Sequence, residues 1–462
     1  MRIKFSPNTL LGYILIYFML IWNQTNLSET FLKPYMLPIT IIFIGWVFLK
    51  SKRLTNWCGL ASVIIILFAF FIRFTVGGIG LEAVLSILSS IYIVAIVVIY
   101  NRENVFERLV KVISFLAICS LFLWGLSSIF PRFYEILVPE YNSLMTYRIY
   151  SDSENYKEIH YVCRGLFLYT MRSVDGRNSG IFTEPGVYQM VLNIAVFILL
   201  FMNKYIKLKN PKMLLAILIV TLFTSQSTTG YIGLTMLILF YLIFVSKGNQ
   251  QSLNKSNILI YMCIGIIILF IDLQIRGMDS ILQTTVIEKL FPNGSISLVE
   301  NQSSAARVGT ILLTTRSIIQ HPFGVGYANI DMLLNSEETG FAAAELLRFG
   351  AAWGVVPLFF ALWWMFRPLK SNLKRSTIIL YISLYFNTAL AQSNVVYPVL
   401  IIIPLAFIYF PMSSDKKLIK EKHDEKGFIY SSSDCSNDDD TAGYGTRGCW
   451  TNGRDCGTDR RD

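Results

Sequence analysis

Three groups of charged residues stand beside long apolar runs, and their types suit an anion held next to an attacking hydroxyl. The first lies in "RSVDGRNSGIFTEPGVYQM", which carries Arg172, Arg177 and Glu184 to the edge of an apolar stretch. The second lies in "ARVGTILLTTRSIIQHPFGVGYAN", where Arg307, Arg316 and His321 precede the glycines Gly324 and Gly326. The third is "FAAAELLRFGAAWG", in which Glu345 and Arg348 stand three apart and share one helix face. Arginine's planar fork takes phosphate oxygens in pairs, and its charge survives a low-dielectric setting. A carboxylate or imidazole among such arginines accepts a proton from a hydroxyl nucleophile. Departure of a diphosphate from a sugar carbon needs charge stabilisation of this kind more than covalent help. Arg172, Arg177, Arg307, Arg316 and Arg348 are therefore candidate diphosphate-binding residues, and Glu184, His321 and Glu345 are candidate catalytic residues.

Each group also has a plainer reading. Glu184 before Pro185 has the form of a helix start, where an acid gains roughly 0.3–1 kcal/mol from the helix dipole. Arg307 and Arg316 fit the solvated face of an amphipathic helix, His321-Pro322 fits a helix stop, and "PFGVG" fits a tight turn. Glu345 and Arg348 could be an ordinary pair worth about a few tenths of a kcal/mol. The elements that hold these residues decide between the readings.

Those elements are apolar. The 462 residues are 54% hydrophobic and 15% charged, where a soluble chain carries about a quarter charged residues. Twelve apolar segments, at about 8–22, 34–50, 57–74, 80–100, 109–130, 185–202, 211–225, 228–245, 257–273, 346–366, 376–391 and 395–411, approach the ~20 residues that a bilayer core needs. The expectation is an all-α polytopic membrane protein with about 12 transmembrane helices and two large extracytoplasmic loops. "MRIKFSPNTLLGYILIYFMLIW" has no small-residue cleavage site after it and is expected to stay as the first helix.

Charge sets the orientation. "KSKRLTN", "NRENVFERLVK", "NKYIKLKNPK", "SKGNQQSLNKSN" and "RPLKSNLKR" fall on one side, whereas "TSQSTTG" and "AQSNV" on the other carry no lysine or arginine. The positive-inside rule then puts both termini in the cytoplasm. The net charge of +10 becomes a topology signal, and no nucleic-acid partner is expected. Loops at about 131–184 and 274–345 face outward and contain the three charged groups, so they are expected as ordered caps, with a helix at Ser303–Gln320. Residues 1–411 form the membrane domain, and the polar tail 412–462 is expected to be disordered and cytoplasmic. Seven cysteines show neither a disulfide framework nor a zinc spacing. With no acid-rich metal motif in the outer loops, no metal or other cofactor is expected, and the arginines must neutralise the leaving group.

Taken together, the sequence resembles the O-antigen polymerase/ligase superfamily, the Wzy-type oligosaccharide repeat-unit polymerases of bacterial envelopes. "SGIFTEPGVYQMVLNIAVF" resembles that family's Gly-x-Phe-x-Glu-Pro stretch, and "LFTSQSTTGYIGLTMLILFYLI" its Thr-x-Ser stretch between two spans. "HPFGVGYAN" resembles its glycine turn after the second outer loop, and "AAAELLRFGAAWGVVPLFFALWW" the entry into the following span. The resemblance covers roughly residues 150–370 and implies a metal-independent glycosyltransferase of the bacterial cytoplasmic membrane. Such enzymes join undecaprenyl-diphosphate-linked repeat units into O-antigen, capsule or exopolysaccharide on the outer face. A membrane lipid environment and the pathway's flippase and chain-length regulator are the implied partners. By position, Arg177 and Glu184 fall in the first motif, and Arg307, Arg316 and His321 in or before the third. The chain departs from the pattern at Thr228-Thr229, where many relatives have arginine, and in the spacing from Arg316 to Gly326. A ligase-type glycan transferase and a lipid-linked oligosaccharide flippase remain as alternatives.

Overall fold

The computed structural model describes residues 7–75, 81–130, 132, 146–153, 156–165, 167–172, 176–244, 274, 302–336, 344–392 and 396–410. Met1–Pro411 forms one compact unit, and Met412–Asp462 is a second that lies outside the described residues. The first unit is mostly helical. Helices α1 (Pro7–Ile21), α2 (Met36–Lys50), α3 (Lys52–Thr75), α4 (Leu81–Asn101) and α5 (Val105–Ile129) come first. Then follow α6 (Pro185–Phe201), α7 (Pro211–Thr224), α8 (Thr228–Phe244), α9 (Gln302–Gln320), α10 (Tyr327–Ser336), α11 (Glu345–Trp353), α12 (Val355–Phe366), α13 (Arg375–Ala389) and α14 (Pro398–Tyr409). Proline opens α1, α6, α7 and α14, at the position where its missing N–H costs nothing.

All of these helices except α9 and α10 fall on eleven of the twelve apolar segments, and the segment at 257–273 lies outside the described residues. One of the eleven is corrected: the apolar run at 346–366 is two helices, α11 and α12, separated at Gly354 with φ +93. The helix expected at Ser303–Gln320 is present as α9.

Burial sorts the helices into centre and periphery. Along α4, α6 and α14 nearly every side chain is buried, from Ile87 to Ile99, Val187 to Leu200 and Val399 to Ile408. The outer helices instead expose large apolar residues, among them Ile42 and Phe48 on α2, Leu67 and Phe74 on α3, Phe122 on α5 and Phe359 on α12. Apolar surface on both faces is compatible with a lipid surround and costly in water. Among the described residues three stretches, Ser28–Lys50, Lys52–Thr75 and Leu81–Ile129, are long and apolar enough to cross a membrane.

The segment expected as the first outer loop departs from the all-α expectation. It holds a three-stranded antiparallel sheet of β1 (Thr146–Ser153), β2 (Tyr156–Gly165) and β3 (Thr170–Arg172), in the order β1-β2-β3. Thr146 pairs with Arg164, and Cys163 pairs with Arg172. The strands "TYRIYSDS" and "YKEIHYVCRG" mix aromatic and β-branched residues with charged and polar ones, so no continuous apolar run marks them.

The helices have two distinct ends. At one, the Tyr205 hydroxyl donates to the Asn372 carbonyl at 2.8 Å, and the rings of Phe106, Tyr205 and Phe407 pack at steep angles to one another. The connections gathered there carry Arg102, Lys204, Lys209, Lys370 and Lys374. At the other end lie the segment 22–35, the turn 176–184 and the start of α11.

Candidate functional site

The glycine turn after α9 sets the geometry of the second end. A Cβ on Gly324 (φ +87) would stand 2.5 Å from the Ala352 carbonyl oxygen, and one on Gly354 would stand 2.7 Å from the Phe323 carbonyl carbon. Only two glycines allow this approach of backbone to backbone. Three hydrogen bonds lock it: Val325 N–H to Ala351 O at 3.0 Å, Gly326 N–H to Ala352 O at 3.0 Å, and Val355 N–H to Pro322 O at 2.8 Å. Here "HPFGVG" is a docking turn that fastens α10 against α11. Ile330 and Leu334 bury against Ala351 and complete the contact.

The docking brings four polar side chains together. Arg348 donates to Glu345 Oε2 at 2.9 Å and to Asp331 Oδ1 at 2.5 Å. The Tyr327 hydroxyl donates to Glu345 Oε1 at 2.8 Å, and Arg348 lies over the Tyr327 ring. Glu345 is 7% exposed and Arg348 8%, so this is a buried network and not a surface pair. Desolvation pushes the Glu345 carboxyl up to about 7, with Asp331 adding to the rise while Arg348 and the Tyr327 hydroxyl oppose it. Burial and the Glu345 charge raise the Tyr327 hydroxyl as well, so it stays a donor.

Glu345, Arg348, Asp331 and Tyr327 line a cavity of about 630 Å³. Its other walls come from the segment Trp22–Lys33, from Glu82, Ser86 and Ile87 of α4, and from Val396 and Tyr397 before α14. Lys33 spans Glu82 at 2.7 Å and Glu29 at 3.9 Å. Four carboxylates, Glu29, Glu82, Asp331 and Glu345, thus face two cations, Lys33 and Arg348. Among the described residues, no group of three metal-ligating side chains stands close enough to hold an ion. The wall chemistry suits a polyhydroxylated ligand: carboxylates accept from hydroxyls, and the half-buried Trp22 offers a flat apolar face.

Glu184 stands beside this cavity. Its backbone is extended (φ −129, ψ 134) before Pro185, and its carbonyl accepts from Val187 N–H at 3.2 Å, while its carboxylate makes no capping hydrogen bond. That carboxylate is close enough to act on the charge of Glu29. The approach is built by Gln24, whose carbonyl accepts from Thr183 N–H at 2.9 Å and whose side chain accepts from the Tyr397 hydroxyl at 3.2 Å. Gln392 bridges the same gap: its carbonyl accepts from Glu345 N–H, and its side chain lies against Gly186 in the first turn of α6.

The structure therefore brings together Glu345, Arg348 and, at the rim, Glu184. Arg316 and His321 are exposed and do not line the cavity, and Arg177 is half-buried and also outside it. Arg172 lies at the end of β3 and Arg307 on α9, with side chains outside the described ones. Sequence reasoning missed Asp331, Tyr327, Glu29, Lys33 and Glu82. A partial signal existed in the i,i+4 spacing of Tyr327 with Asp331 and of Glu29 with Lys33, which places each pair on one helix face. The glycines of α8 serve packing: a Cβ on Gly230 would meet Gln189, and one on Gly233 would meet Asn193. No family model matches the chain, and no curated protein or solved structure matches it either.

Proposed function

We propose that the protein is a glycosyltransferase of the bacterial cytoplasmic membrane that polymerises undecaprenyl-diphosphate-linked repeat units on the outer face. The proposal includes about twelve spans, two large outer loops and both termini in the cytoplasm. One observation carries it: a buried glutamate with its pKa near 7, on the wall of an acid-rich cavity at the end away from the basic connections. Glu345 is the base and the cavity is the acceptor-sugar site. The acceptor hydroxyl gives its proton to Glu345, and its oxygen bonds to the anomeric carbon of the donor chain. The bond from that carbon to the diphosphate breaks, and its electron pair leaves with the diphosphate oxygen.

A surplus of carboxylates repels a diphosphate, so the leaving group belongs outside the cavity. Arg172, Arg177, Arg307 and Arg316 are the arginines for it, with Arg348 keeping Glu345 oriented. Glu184 at the rim is placed to receive hydroxyls of the incoming sugar. A base whose pKa lies near the working pH combines a useful ionised fraction with proton affinity.

The deciding experiment uses the purified full chain in liposomes with a lipid-linked repeat unit. Laddered products support polymerisation. A single transfer to a lipid acceptor without a ladder assigns ligase-type activity, and translocation without new glycosidic bonds assigns a flippase.

A further inference from the structure

A second cavity of about 680 Å³ opens at the basic end of the bundle. Met36 at the start of α2 lines the first cavity, and Arg53, just beyond its end, lines the second; Tyr397 and Phe407 do the same for α14. Among the described residues three cations, Arg53, Arg367 and Lys370, line this second cavity, and no carboxylate does. Among the described residues none of the three makes an ion pair. The Arg367 guanidinium lies over the rings of Trp363 at 4.8 Å and Trp57 at 5.9 Å, a pairing that holds the fork in place without neutralising it. Trp57 also carries a buried indole N–H with no hydrogen-bond partner. The remaining wall includes Leu60, Phe407 and Ile408. It runs on into the exposed apolar side chains of α3 and α12, such as Leu60 and Phe359.

We propose that this cavity binds the phosphate headgroup of an anionic phospholipid. Unpaired cations complement the phosphate, and the adjoining apolar faces receive the acyl chains. A free phosphate ion would have no use for that apolar continuation. Basic pockets between apolar helices, flanked by tryptophan, recognise lipid headgroups in this way. The site does not depend on the chemistry assigned to the other end, so either reading can fail alone.

The test is native mass spectrometry of the detergent-solubilised full chain with added phosphatidylglycerol or phosphatidylcholine. Retention of phosphatidylglycerol over phosphatidylcholine is expected, with loss of about a hundredfold in affinity for the Arg53→Gln/Arg367→Gln/Lys370→Gln variant. Because Arg367 is stacked, the Arg53→Gln/Lys370→Gln double variant, which touches two exposed side chains, guards against a folding defect and should lose about thirtyfold. Lys207→Gln/Lys209→Gln/Lys212→Gln removes equal charge at the same end outside the cavity and should retain lipid. An equal loss in that control overturns the site, as does inorganic phosphate competing at concentrations equal to the lipid's. So does a full chain that takes up phosphatidylglycerol only when Asp438, Asp439 and Asp440 are changed to Asn, which would make the chain's own acidic segment the occupant.

Discussion

The two cavities lie at opposite ends of the same helices and are close in size, about 630 and 680 Å³, but their walls carry opposite charge. They also treat that charge differently. In the acid-rich cavity each cation is held between two carboxylates, Lys33 between Glu29 and Glu82, Arg348 between Glu345 and Asp331. In the basic cavity Arg53, Arg367 and Lys370 are exposed, and Arg367 is held over the Trp363 and Trp57 rings with its charge left available. Buried, paired charge tunes a proton affinity, whereas exposed, unpaired charge attracts a partner. The first arrangement suits chemistry and the second suits retention.

The hardest blow to this contrast is Glu345→Gln. Removing a general base costs about 10²–10⁴-fold in rate, read as loss of ladder formation in liposomes at unchanged membrane levels. The amide keeps the volume and still accepts from the Tyr327 hydroxyl, so folding should survive. Full activity in this variant ends the assignment of Glu345. Next in size is Arg348→Ala, which leaves the buried Glu345 without its cation. Breaking such a pair costs about 3–5 kcal/mol of stability, measurable as a fall in thermal unfolding temperature in detergent. An equivalent change at the exposed Lys370 should cost little by comparison.

Gly354→Ala asks whether the docking turn matters. The added methyl meets the Pro322–Phe323 backbone at a residue with φ +93, and strain of this kind costs about 1–3 kcal/mol. The expected result is destabilisation with reduced transfer, because α10 no longer presents Tyr327 and Asp331 to α11. Unchanged stability would mean that the turn and the α11–α12 break are not coupled.

Much of this was legible in the sequence, and the gaps have physical causes. Apolar runs located the helices because each helix needs a continuous apolar stretch, whatever its neighbours. The Glu345–Arg348 pair was visible because i,i+3 spacing is local. Asp331 and Tyr327 were not, since their partners lie 17 and 18 residues away and meet only through the docking turn. Glu29, Lys33 and Glu82 reach the cavity from a third part of the chain, which no local spacing reports. Gly354 read as part of an apolar run because hydropathy has no term for a positive φ. The small sheet escaped for the complementary reason: charged and polar residues among its aromatic and β-branched ones keep hydropathy below the level of a run.

A finer pair of substitutions uses the sign of the tuning. Activity by a glutamate base rises with pH as the carboxyl loses its proton, with a midpoint near 7. Asp331 raises that pKa and Arg348 lowers it. Asp331→Asn should therefore move the midpoint to lower pH, and Arg348→Met should move it higher, in pH–rate profiles of ladder formation. Shifts in the same direction would show that the network acts through packing and not through charge.

The smallest expected effect belongs to His321→Ala. Sequence reading places this imidazole among the candidate bases, but it is exposed at the start of the docking turn and outside the cavity. Its structural contribution is through the backbone, where its N–H donates to Ser317 O at 2.8 Å and its carbonyl accepts from Gly324 N–H at 2.9 Å. Alanine keeps both bonds, so stability should change by no more than about 0.5 kcal/mol and ladder formation by about twofold. A loss as large as that of Glu345→Gln would move the base to the exposed side of the turn. The acid-rich cavity would then be a binding site without the chemistry, and its contrast with the basic cavity would reduce to the sign of the ligand each retains.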